Sequence, residues 1–74
     1  MTQEEMMAEY KIAKAEQKES DRRLEKLEEL LSVMPLNAKG QQELLKNTTK
    51  LATLNIEGHK CIAKMEAILK IKNN

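Results

Sequence analysis

Two side chains could take part in chemistry: Cys61, the single cysteine, and His59, the single histidine, two positions before it. A thiolate beside an imidazole can serve as an activated nucleophile, and the same two groups can ligate zinc. The spacing argues against both, because residues two apart point to different sides of a helix. Cys61 falls in an apolar run and is expected to be a buried small hydrophobe. His59 is expected at the surface or at an interface, where its protonation could tune a contact. Di-iron bundles use Glu-x-x-His pairs, and the residue three before His59 is Ile56. Glu4, Glu5, Glu9, Glu16 and Glu19 read as carboxylates on a solvated surface. No Gly-rich phosphate loop occurs, and no nucleophile has a base placed beside it. The sequence therefore assigns no catalytic, cofactor-binding or metal-binding residue. It is expected to be no enzyme and to have no small-molecule substrate.

The second half has a different character. Lys39, Lys46, Lys50, Lys60, Lys64, Lys70 and Lys72 make it basic: residues 36–74 hold seven basic and three acidic side chains, against six and nine in residues 1–35. A lysine-rich helix can lie along phosphates. This half has no Arg, the usual bidentate reader of guanine, and no aromatic on which bases could stack. A small dimeric regulator that binds nucleic acid through the second helix is therefore the alternative reading. The leading explanation of the charge difference is two helices with complementary surfaces packed against each other.

These residues need elements to position them, and the composition permits only one kind. The chain has 74 residues, 41% of them hydrophobic and 34% charged, with Tyr10 the only aromatic and Gly and Pro together numbering three. Few turn formers beside much Glu, Lys, Leu and Ala describe helix. No stretch approaches the 18 to 20 apolar residues of a membrane span. The acidic start MTQEEMMAEY has no apolar core of a signal peptide. With a lone free cysteine, the expectation is the cytoplasm and no membrane contact.

The first helix is expected over residues 3–34. Thr2 and Glu5 form a capping-box pair, and Pro35 stops the helix. Its 3-4 stripe is Met6, Tyr10, Ala13, Gln17, Ser20, Leu24, Leu27, Leu31 and Met34, with polar residues at the waist. A turn at 35–37 follows, with Asn37 as a candidate N-cap. The second helix is expected over 38–72, or from just after Gly40 as an alternative. Its stripe reads Leu44, Leu51, Leu54, Gly58, Cys61, Met65 and Ile68, with Asn47 filling the missing position and Ile62 and Leu69 widening it. A short turn forces the helices antiparallel. The fold class is thus all-α, a single coiled-coil-like helical hairpin over residues 1–74.

A two-helix hairpin covers one face of each helix and leaves a surplus. Leu45, Ala52, Ile56, Ala63, Ala67 and Ile71 form a second apolar group on the second helix. Exposing a large apolar side chain forfeits about 1.5 to 3 kcal/mol, and a chain this short has little core to spare. The group is therefore the expected partner-binding surface, for another protein or for a second copy. The function implied is a non-catalytic binding module, a small adaptor or chaperone-like subunit. In size and layout, with its turn at Pro35 followed by Gln41 and Gln42, the chain resembles the small helical-hairpin cochaperones of bacterial type III secretion. That resemblance implies pairing with a second chaperone to keep a needle subunit in solution, and assigns no binding residue.

Overall fold

The computed structural model describes residues 1–35 and 39–71. It is an antiparallel hairpin of two long helices, α1 (Gln3–Val33) and α2 (Gln41–Leu69), 52 Å from end to end. At 1.5 Å per residue, helices of this length account for nearly all of that distance.

Each end of each helix has a local cause. Thr2 sits in extended backbone before α1, and its Oγ1 accepts the Glu5 amide at 3.1 Å. The Glu5 carboxylate in turn accepts the Thr2 amide at 3.4 Å, which completes the capping box read from the sequence. At the other end Met34 is extended (φ −77°, ψ 135°), the conformation that a following proline imposes.

The second helix is shorter than the sequence suggests. Residues 36–38, including the expected N-cap Asn37, lie outside the described residues. Lys39 and Gly40 form a turn, and the helix starts at Gln41, the alternative start just after Gly40, rather than at 38. Gly40 has φ +87°, a left-handed conformation that a Cβ would oppose. The helix stops at Leu69, short of the expected 72, because Lys70 turns into the left-handed region (φ 58°, ψ 37°). There the Lys70 amide donates to the Ala67 carbonyl at 3.4 Å and the Ile71 amide donates to Glu66 at 2.9 Å. These two bonds form a Schellman motif, which satisfies carbonyls that the helix end would leave open.

The α1 side of the seam is the stripe read from the sequence. Gln17 and Leu27 are buried, and the other seven members are partly buried. The α2 side is rotated from the expected stripe. Its seam positions are Gln41, Leu44, Thr48, Leu51, Asn55, Gly58, Ile62, Met65 and Leu69, all buried or partly buried. Leu54, Cys61 and Ile68 are exposed instead. The free cysteine is therefore not a core residue, contrary to the reading of its apolar neighbourhood. The cause is polar. Gln17 and Ser20 face α2 at the waist and need hydrogen-bond partners there, which Asn55 supplies and Leu54 could not. Thr48, also in the seam, satisfies its hydroxyl on its own helix through the Leu44 carbonyl at 2.7 Å.

The waist fixes the register. Gln17 lies against Gly58, and Ser20 Oγ donates to Asn55 Oδ1 at 2.9 Å. Stepping outward by threes and fours sets Leu24 level with Leu51 and Leu31 level with Leu44 toward the turn. In the other direction Ala13 is level with Ile62 and Met6 with Leu69.

Candidate protein-binding surface

Gly58 makes the centre of the seam possible. A Cβ at this position would lie 3.1 Å from Gln17 Cδ and closer still to its Oε1. The glycine thus opens the space that the Gln17 amide fills, and with it the reason for a helix-weakening residue in mid-helix becomes plain. Gln17 Nε2 donates to Asn55 Oδ1 and also reaches the Asn55 carbonyl at 3.4 Å and Asp21 Oδ1 at 3.3 Å. Asn55 Nδ2 donates to the same Asp21 oxygen at 2.8 Å, and His59 Nε2 lies 2.9 Å from it. Asp21 Oδ1 therefore gathers three nitrogen partners. His59, then Asn55, holds the Asp21 carboxyl below the usual carboxylate range. His59 is exposed, as expected, and its partner is a carboxylate from the opposite helix.

A second cluster lies nearer the open end. Glu66 is buried on α2, with 6% of its surface exposed. Tyr10 donates its hydroxyl to Glu66 Oε2 at 2.8 Å, and Lys14 Nζ lies 3.9 Å from the same oxygen. Lys14 also sits 5.9 Å above the Tyr10 ring, within cation–π range. Donation to the Glu66 carboxylate raises the Tyr10 pKa above its usual 10.0, and desolvation together with the charge of Glu66 adds to that rise.

These contacts divide the hairpin into two sides. Residues seven apart share a row on a helix packed in heptads. One side carries the rows Lys14–Asp21 on α1 and Leu45–Ala52–His59–Glu66 on α2, and it holds the cross-helix contacts Lys14–Glu66 and His59–Asp21. This is the bridged face. The other side carries Glu9–Glu16–Arg23–Leu30 and Asn47–Leu54–Cys61–Ile68, with Glu16 and Cys61 flanking a shallow groove over Gly58. Among the described residues its two edges share no hydrogen bond or ion pair. This is the open face. Leu54 is 60% exposed there and Ile68 64%, and Leu30 is also exposed.

The sequence-derived partner group spreads over the bridged side and the outer surface of α2. Leu45, Ile56, Ala63 and Ala67 are exposed, while Ala52 and Ile71 are partly buried. Ile71 supplies the amide of the Schellman bond to Glu66. The exposed row Leu54–Cys61–Ile68 escaped the sequence reading because it was assigned to the seam. The signal that could have found it was the strict alternation of Gln41, Leu44, Thr48, Leu51, Asn55, Gly58, Ile62, Met65 and Leu69, hidden by its polar members Gln41, Thr48 and Asn55. His59 and Cys61 lie on opposite sides of α2, so the thiol and imidazole do not converge.

Among the described residues no group of three His, Cys, Asp or Glu side chains could hold a metal ion, and no helix is long and apolar enough to cross a membrane. Comparison with protein-family models, curated proteins and solved structures gives no match to this chain.

Proposed function

We propose that this chain is a non-catalytic protein-binding module, a small cytoplasmic adaptor or chaperone-like subunit that presents apolar side chains of α2 to a partner protein. One observation carries the reading. Of the described apolar residues only Leu27, Ile62 and Leu69 are buried, while Leu45 and Ile56 of α2 are more than half exposed. Covering the remaining exposed half of two such side chains would contribute about 1.5 to 3 kcal/mol, a sizeable share of what a small domain has in hand. The non-catalytic part rests on the positions of His59 and Cys61: the histidine is paired with Asp21, and the thiol lies on the other side of the helix. In size and layout the hairpin resembles the type III secretion cochaperones, a likeness that fits an accessory subunit.

A photo-crosslinking amino acid placed at Ile56 in cells tests the proposal. The expected result is one discrete adduct, identified by mass spectrometry, that disappears when Leu45→Asp is introduced into the same chain. The purified adduct partner should then bind the unmodified hairpin in calorimetry and bind the Leu45→Asp variant at least ~10-fold more weakly. No adduct at Ile56, with unchanged partner affinity for Leu45→Asp, would sink the reading.

A further inference from the structure

We propose, building on the interaction-module reading, that the open face is covered by a second copy of this chain. The two hairpins pack antiparallel, α1 against α1, about a two-fold axis level with the waist. Three observations point there. The first is the asymmetry of the hairpin itself. The cross-helix charged and polar contacts, Lys14–Glu66 and His59–Asp21, lie on the bridged face. The open face holds Leu30, Leu54 and Ile68, each more than half exposed. Single exposed leucines are ordinary, but here the exposed apolar residues on one face equal in number the buried ones of the whole described core.

The second is size. The hairpin measures 52 Å by 24 Å across its broad dimensions. Covering such a face buries on the order of 1,000 Å² per chain, above the roughly 800 Å² per partner of a standard specific interface.

The third is charge, and it selects the occupant. Along the α1 edge of the open face the row runs Glu9, Glu16, Arg23 and Leu30, with both acids before the cation. That order is self-complementary only when the helix meets itself reversed. An axis midway between Glu16 and Arg23 places each copy's Glu16 beside the other's Arg23, so the pair forms twice. A parallel arrangement would set Glu16 on Glu16 and Arg23 on Arg23. By the register of the seam, the same axis passes close to Leu54, so the Leu54 side chains of the two copies meet at the centre of the interface, where burial contributes most.

Sedimentation equilibrium with four variants tests the arrangement. The parent is expected to be dimeric at about 50 μM. Leu54→Asp should remain helical by circular dichroism and weaken the dimer at least ~100-fold. Glu16→Arg and Arg23→Glu should each weaken it about 10-fold, and the doubly reversed chain should recover to within about 3-fold of the parent. A spin label on Cys61, the only cysteine, should report a single distance between copies, with Cα atoms about 20 Å apart by helix rise and packing distance. A monomeric parent at about 200 μM, or a dimer indifferent to Leu54→Asp, overturns the proposal. So does a dimer that the double reversal fails to restore. Leu45→Asp separates this inference from the preceding reading: it should abolish the Ile56 adduct and leave the dimer intact.

Discussion

Tyr10 is the only tyrosine, and the chain has no tryptophan, so its phenolate absorbance can be followed without interference. The hydrogen bond to Glu66 raises its pKa, so the ultraviolet titration midpoint of the folded hairpin should lie above 10.0. Glu66→Gln removes the negative acceptor and should bring the midpoint back down toward that value. The sign for stability follows from linkage. A tyrosine whose pKa is raised by folding favours the folded state fully below its ordinary pKa, and this contribution is lost as pH rises through the raised value. Denaturation of the parent should therefore become easier above about pH 10, and Glu66→Gln should flatten that decline. A midpoint that does not move in Glu66→Gln would mean that the carboxylate does not accept the phenol in solution. Such a contact was not legible beforehand. Glu66 had no role assigned from the sequence, since nothing in its type reveals that the rotation of α2 turns it toward Tyr10.

At the scale of the element, α1 was readable and α2 only partly so. The nine-residue stripe of α1 is the seam, since the alternation of threes and fours is unbroken and its weak middle was kept in place. In α2 the same alternation passes through Thr48 and Asn55, and the search for apolar residues preferred Leu54, Cys61 and Ile68 one position away. Apolar content is a poor guide where a seam contains a polar level, because hydrogen-bond satisfaction outweighs one exposed leucine. Gly58 tests that level directly. Gly58→Leu should cost about 1 to 3 kcal/mol in urea denaturation, despite leucine's better helix propensity, because its side chain must displace Gln17. Gly58→Ala is the finer probe. The Gln17 amide has a flexible end that can swing away, but doing so gives up its bonds to Asn55. The gain of up to about 1 kcal/mol in propensity is then offset. A Gly58→Leu hairpin as stable as the parent would show that Gln17 does not occupy this space.

At the scale of the whole molecule, the two halves carry opposite net charge: −3 over residues 1–35 and +4 over residues 36–74. The contrast was evident in the sequence, and in the fold the two halves become antiparallel helices lying side by side, although the Lys14–Glu66 contact runs against it, with its cation on α1. Apart from Glu66, the charged side chains of both helices are exposed, so screening matters. Raising sodium chloride from about 20 mM to 0.5 M should lower the urea midpoint modestly, by an amount equivalent to about 0.5 to 1 kcal/mol. An unchanged or higher midpoint would show that the charge contrast does not help to hold the helices together. The waist has a different consequence at this scale. Sliding α2 along α1 by seven residues would still set seam positions opposite seam positions, but it would carry Asn55 and Gly58 away from Gln17. The polar level therefore acts as an index mark, set once along an otherwise repetitive track. A track with a fixed origin can be lengthened. Matched heptads added to both helices between the waist and the turn, with Pro35 and Gly40 kept, would leave that origin untouched. The hairpin is in this sense a ruler, whose reach can be changed in steps of about 10 Å, the rise of one heptad, without resetting which residues meet at its centre.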